Sequence, residues 1–299
     1  MDTTVLDRKA AQLVAASQRQ SFDPFTEIDW DLPLDDSTYH LPPEFLPLYG
    51  TPQWEAMTES ERRTYSRHET AALCGAGIWF ENLLMQVVLR HLAEMPATDP
   101  SHRFLLVEVA DECRHSMMFG EYIRRAGTPA YSPADKGGFL DGPAAALEGT
   151  PVGRVLSYLL ILGVEELLDV CNRATMKDER CNAVSRQIAR IHVLEEARHV
   201  SFARTYLSGA YPALAEEEQQ QVAMMARFAV AAPALLFVNP QVFEELGIEG
   251  GAVAAHTSPH HRARIARDLT RLTDFLAELG VITDGNRPDW QALGLVAAA

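Results

Sequence analysis

Cysteine is scarce: Cys74, Cys113, Cys171 and Cys181 are the full complement in 299 residues, and no two of them form a C-x-x-C pair. That argues against a zinc–thiolate site or a redox dithiol, and reduced thiols in a cytoplasmic protein are the plain expectation. Positive charge is also in deficit, with 26 Lys and Arg against 41 Asp and Glu and a net charge of −15. An acidic surface repels phosphate backbones and anionic lipid, so neither nucleic acid nor a membrane is expected as a partner. Long apolar runs are missing too. The longest, residues 155–164 and 229–238, fall well short of the roughly 20 residues that span a bilayer. No basic region followed by an apolar one opens the chain, so no targeting segment is expected. Strand-type alternation is absent, which leaves helices.

What the chain does have is a repeated pattern of acids and imidazoles. In R-I-H-V-L-E-E-A-R-H-V-S, residues 190–201, His192, Glu196 and His199 stand at i, i+4 and i+7, one stripe of a helix. The same grammar occurs in V-A-D-E-C-R-H-S, where Glu112 and His115 stand at i, i+3. Upstream of each lies a Glu in an apolar helix, Glu81 in G-I-W-F-E-N-L-L and Glu165 in L-I-L-G-V-E-E-L-L. Glu81 precedes Glu112 by 31 residues and Glu165 precedes Glu196 by 31, so the halves superpose at an offset of 84. His192 then has Glu108 as its repeat mate. Glu166 competes with Glu165, and the common 31-residue spacing selects Glu165.

Taken singly, each of these residues has an ordinary explanation, a solvated Glu or a hydrogen-bonded core His. Together they do not. Glu81 has Ile78, Leu84 and Met85 as helical neighbours, and Glu165 has Ile161, Leu162 and Leu168. Neither acid can face water without exposing them. Stranding four carboxylates in an apolar interior would exceed the roughly 5–15 kcal/mol of net stability a domain has. Two divalent cations would balance the four negative charges with the imidazoles neutral, and carboxylate plus imidazole without thiolate suits iron or manganese. Asp111 and Glu195, each preceding a ligand Glu, are expected to orient histidines on a neighbouring helix, with Arg114 and Arg198 as their partners. Cys113 lies one step off the stripe and carries no expected role.

A bundle that offers one Glu from each of two helices and Glu-x-x-His from each of two others is the di-iron carboxylate arrangement. Through Glu81, Glu112, His115, Glu165, Glu196 and His199 the sequence resembles the ferritin-like superfamily. Its third histidine on the stripe, His192, together with the G-I-W-F-E, D-E-x-R-H and H-x-x-x-E-x-x-H segments, is similar to the bacterial p-aminobenzoate N-oxygenase family. That resemblance implies two iron ions, O2 as co-substrate, an external electron donor, and oxidation of a primary amine through hydroxylamine and nitroso to nitro. The substrate class expected is an arylamine or amino acid. Hydroxylation or oxidative cleavage of an apolar substrate is the alternative enzymatic reading, and metal storage or ferroxidase activity the alternative of another class. His192 reads as a metal ligand or as a hydrogen-bond donor beside one.

The expected architecture is all-α: a ferritin-like four-helix bundle with accessory helices, in one domain over residues 1–299. An N-terminal arm over 1–57 carries a short helix near Lys9–Gln18 and a proline-spaced extended stretch rich in aromatics. The ligand-bearing core spans 58–208 and the accessory helices 209–299. Thr58 and Glu61 form a capping box, Thr150 with Pro151 opens the third core helix, and residues 127–149 read as the crossover. A bend is expected near Gly75 and Gly77. Substrate access is expected past Leu73, Gly77 and Phe80 on one helix and Leu168, Cys171 and Asn172 on another. His256, His260 and His261 are expected at the surface, and a homodimer is the expected assembly.

Overall fold

The computed structural model describes residues 3–133, 147 and 149–296. The protein is 72% helical with no strands among the described residues. Most of the expected crossover, residues 134–146 and 148, lies outside them.

The four core helices are α4 (Glu59–Ala93), α5 (Pro100–Ala126), α6 (Pro151–Thr175) and α7 (Ala183–Ala210), with α1 (Thr3–Arg19), α2 (Pro24–Glu27) and α3 (Pro52–Ala56) before them. Their starts follow local chemistry. The Thr58 amide donates to Glu61 at 2.7 Å while the Glu61 amide donates to Thr58 Oγ1 at 3.3 Å, the reciprocal capping box. Asp99, Thr150 and Asn182 each accept from an amide of the first turn of the helix they open. The C-terminal part forms α8 (Glu216–Leu236), α9 (Pro240–Glu245), α10 (Gly251–Thr257), α11 (Pro259–Asp268), α12 (Thr270–Leu279) and α13 (Arg287–Ala292). The stretch after Ser258 forms two helices, α11 and α12, broken at Leu269.

Two local features have physical causes. Gly75 and Gly77 permit close approach: a Cβ at Gly75 would meet the Tyr131 carbonyl oxygen at 2.4 Å, and one at Gly77 would sit 3.0 Å from the Phe119 ring. Helix α1 is longer than the stretch near Lys9–Gln18 because Leu6, Ala10, Leu13 and Val14 all pack into the main core.

Apolar side chains gather into two clusters, one at each end of the bundle. One takes Phe80 and Leu84 of α4, Phe104 and Leu105 of α5, Val155 to Leu168 of α6, and Val200 to Leu207 of α7. The other takes Tyr65 to Cys74 of α4, Met118 to Ala126 of α5, Cys171, and Val184 to Ile191 of α7. In chain direction, α4 and α7 therefore run together, and α5 and α6 run against them. Between Leu105 and Met118 on α5, and between Ile191 and Val200 on α7, neither cluster has a buried member, and only the partly buried Val109 and Leu194 pack against them. The acid and histidine motifs occupy that gap.

The residues before α4 cover the second cluster: Phe22, Ile28, Trp30, Tyr39, Leu41, Leu46, Leu48 and Trp54 are buried in it, while Phe25 is half exposed. Each large side chain so buried contributes roughly 1.5–3 kcal/mol. Deleting residues 1–57 is expected to yield protein that aggregates, read by light scattering after size exclusion. A soluble truncation of unchanged melting temperature would show that the segment covers nothing essential.

By length and composition α4 is apolar enough to cross a membrane. It also carries fully buried acids and packs against α5, as an interior bundle helix does.

Candidate metal centre

All seven nominated residues converge. Glu81, Glu112, His115, His192 and Glu196 are fully buried, and Glu165 and His199 are 1% exposed. Their ligating atoms form interlocking groups that can each hold a metal ion, with separations inside a group of at most 4.8 Å: Glu81 with His115 and His192, Glu112 with His115 and Glu196, and Glu165 with His192 and Glu196.

The geometry repeats the two-fold pattern of the sequence. His115 Nδ1 lies 2.8 Å from Glu112 and 3.1 Å from Glu196; His199 Nδ1 lies 2.8 Å from Glu112 and 3.0 Å from Glu196. On the outer edge of each ring, His115 Nε2 donates to Glu195 at 3.0 Å and His199 Nε2 donates to Asp111 at 3.3 Å. With Nε2 as the donor, Nδ1 is left to face the centre, the arrangement expected of a metal-ligating histidine held by an outer carboxylate. The expectation for Asp111 and Glu195 thus matches, each acting across to the opposite helix. Arg114 pairs with Asp111, and Arg198 reaches Asp111 at 3.2 Å and Glu195 at 3.4 Å.

His192 faces the centre the other way round. Its Nε2 lies 3.8 Å from Glu81 and 4.0 Å from Glu196, while Asn172 sits 3.1 Å from its Nδ1. Glu165 and Glu166 separate cleanly: Glu166 turns away from the centre to accept from Arg204 Nε at 2.6 Å. Cys113 is exposed, off the stripe as expected.

The donor set fits metal ions on a direct observation. Both carboxylate oxygens of Glu81 and of Glu165, and Nε2 of His192, are buried with no hydrogen-bond partner. Buried polar atoms are ordinarily paired. Four acceptor oxygens and one ring nitrogen left bare around one centre call for a cation.

The electrostatics agree. Burial pushes the Glu81 and Glu165 carboxyls well above the usual range, and the neighbouring carboxylates add to it. Burial alone would depress His115 and His199, but the facing carboxylates outweigh it and hold both well above the ordinary imidazole value. In the same exchange Glu112 and Glu196 are held low despite burial, chiefly by those two histidines and, at Glu112, against repulsion from Glu196. His192 goes the opposite way, to about 4, because burial dominates. It is the neutral imidazole of the three.

Glu108 is an eighth donor outside the nominated set. It groups with Glu112 and His199, is 2% exposed, and leaves one oxygen without a partner. Burial pushes its carboxyl up to about 8. The signal for it was present, since Glu108 is the repeat mate of His192.

A cavity of about 40 Å³ runs up to His192, lined also by Leu73, Gly77, Phe119, Leu168 and Asn172. Four of the six access residues expected from the sequence are among its walls. Cys171 lines an adjoining cavity, and Phe80 packs in the core. His261 departs from the surface expectation: it is buried, at 5% exposure, because Ser258 and Arg264 hold it against the core. His260 is half-buried, its Nε2 3.0 Å from the Glu44 carbonyl.

The sequence model of the family described as p-aminobenzoate N-oxygenase AurF matches residues 4–280. The chain belongs to that family. An uncharacterised protein of Mycobacterium tuberculosis (strain CDC 1551 / Oshkosh) is 28% identical over 219 residues, which are 72% of this chain and 64% of that protein. Another from M. tuberculosis (strain ATCC 25618 / H37Rv) and one from Mycobacterium bovis (strain ATCC BAA-935 / AF2122/97) are each 29% identical over 209 residues, 68% of this chain and 61% of theirs. The chain therefore spans somewhat less than two thirds of the length of these curated relatives. Membership of the N-oxygenase family agrees with the resemblance carried by the three motif segments, and the all-α fold agrees with the expected architecture.

Proposed function

We propose that this chain is a non-haem di-iron oxygenase that uses O2 to oxidise a primary amine, an arylamine or amino acid, to the hydroxylamine, nitroso and nitro levels. Its metal ligands in this reading are Glu81, Glu112, His115, Glu165, His192, Glu196 and His199. The observation that carries the reading is the placement of His192: its Nε2 faces Glu81 and Glu196, and its ring also forms a wall of the cavity. A molecule in that cavity lies against the metal centre through one residue.

When bound, the two ions supply reductive activation of O2, with iron the expected metal and manganese its competitor for the same donors. The side chains do the rest. Glu81, Glu112, Glu165 and Glu196 would balance the charge of the two ions within the apolar interior. Asp111 and Glu195 hold the two Nδ1-facing imidazoles in one tautomer. Leu73, Phe119 and Leu168 keep bulk water from the amine, so its nitrogen arrives desolvated. Asn172 fixes the His192 ring and presents an amide to the same cavity. The electrons come from an external donor, and the protein works as a cytoplasmic homodimer with its four thiols reduced. A mass-spectrometric screen of amines with the reduced, iron-loaded protein and O2 tests the reading. Products gaining oxygen on nitrogen support it; oxygen on carbon alone, or none with any amine, overturns it.

A further inference from the structure

Buried acids without a partner are not confined to the metal centre. Glu69 on α4 is 4% exposed, one of its oxygens has no hydrogen-bond partner, and no ion pair forms at it among the described residues. It lies twelve residues before Glu81, with Leu73 and Gly77 between them at four-residue steps. Each four-residue step turns the helix by about 40°, so Glu69, Leu73 and Gly77 share a face, while Glu81 lies about 120° round the axis from Glu69.

That face is lined by two adjoining cavities. The one at His192 has been described. The other is also about 40 Å³, and Glu69, Phe45, Cys171 and Arg264 are among its walls. Leu41, Leu73 and Leu168 line both, so the two share a waist of three leucines. The two cavities thus meet at an apolar waist, with His192 on the metal-centre side and Glu69 on the far side, where Arg264 and His261 also line the wall. Arg264 does not satisfy Glu69. Its Nη1 is bound to Asp268 at 2.9 Å and its guanidinium stacks over Phe45 at 5.1 Å.

We propose that Glu69 is the far-end reader of the substrate, and that the amine oxidised at the metal centre carries a second cationic group, an ammonium or amidinium, that docks on this carboxylate. This rests on the amine-oxidation reading for the reacting end and narrows its substrate from an arylamine or amino acid to an aliphatic amine with a second cationic group. The chemistry of the enclosure supports it. Burial pushes the Glu69 carboxyl up to about 8, against a hydrogen bond from Tyr65 that lowers it, and no charged side chain offsets the burial. The volume argues for a slim molecule: at roughly 10–15 Å³ per water-sized group, each cavity accommodates about three such groups in line. That describes an aliphatic chain with a charge at either end.

Three probes of equal length separate the possibilities: 1,6-diaminohexane, hexylamine and 6-aminohexanoate. Binding is measured by calorimetry to the full-length, iron-loaded protein under nitrogen, so the answer does not depend on whether amines are oxidised. The diamine should bind at least about tenfold more tightly than hexylamine, a difference of about 1.4 kcal/mol, and 6-aminohexanoate more weakly than either. Glu69→Gln keeps the shape and removes the charge; it should abolish the preference for the diamine while leaving hexylamine binding within about twofold. Glu69→Leu should reverse the order of the two. Equal binding of diamine and monoamine by the wild type, or an unchanged preference in Glu69→Gln, overturns the assignment. Tightest binding of 6-aminohexanoate overturns it as well, in favour of Arg264 as the reader.

Discussion

Stripping the metals from the purified chain is expected to lower its melting temperature by on the order of 10 °C or more, and the loss should grow as pH rises from 5 to 8. An ion present at a thousandfold excess over its dissociation constant contributes about 4 kcal/mol to the folded state. Two such ions are comparable with the roughly 5–15 kcal/mol that holds a domain together. The pH dependence follows from the carboxyls left behind. Glu81 and Glu165 have folded values well above their unfolded ones, so between the two the metal-free folded state holds more protons than the unfolded chain. Stability therefore falls with rising pH, by up to roughly 1.4 kcal/mol per group for each pH unit in that window. His115 and His199, also raised, act in the same direction above the ordinary imidazole value. His192, lowered to about 4, opposes them only between about 4 and 6.5. Glu112 and Glu196, held low, act only in more acid solution.

The loaded protein should show little of this slope, because the ions occupy the sites that would otherwise take protons. Glu81→Ala and Glu196→Ala should each fall clearly below the approximately two ions per chain expected of a paired carboxylate–histidine site, measured by plasma emission after gel filtration. Glu166→Ala should keep both ions, since Glu166 is committed to Arg204. Full loading of Glu81→Ala and Glu196→Ala, or a stripped form equally stable from pH 5 to 8, would show that these acids are solvated rather than ligating.

The site was legible from sequence because a helix converts spacing directly into direction. Glu112 with His115, and His192 with Glu196 and His199, need no tertiary information to share a face. The offset of 84 then brings the two faces together, and it also pointed to Glu108. What stayed hidden depends on contacts made by distant segments. Glu69 reads locally as an ordinary helix acid three turns upstream of the motif, and only the packing of Phe45 and Pro47 across α4 and α6 encloses it. His261 looks like a surface histidine until α11 folds back so that Ser258 caps it and Arg264 stacks on Phe45. Helix α1 was underestimated for a related reason. Its apolar positions are few and spaced, and their value appears only against α5 and α7.

His192→Ala is expected to retain both metals and lose most amine oxidation. Four carboxylates and two Nδ1-facing histidines remain in that variant, so the charge balance that retains the ions is intact. What disappears is a neutral nitrogen donor and the wall between the metal centre and the cavity. A loss of at least about tenfold in turnover is the scale on which substitutions beside a metal act, and the absorption spectrum of the iron-loaded protein should shift because one ion changes its donor set. His260→Ala should alter neither, since that ring meets the Glu44 carbonyl and stacks on Tyr49 with a centroid distance of 4.9 Å, away from the bundle interior. The repeat adds a sharper test. Glu108 stands where symmetry would place a partner for His192, so the two metal positions differ by a carboxylate against an imidazole. His192→Glu makes the two halves alike; it should bind metal and still fail to oxidise the amine, because the added negative charge replaces the neutral donor. Wild-type turnover and an unchanged spectrum in both His192 variants would reduce His192 to packing and remove the observation on which the amine-oxidation reading rests.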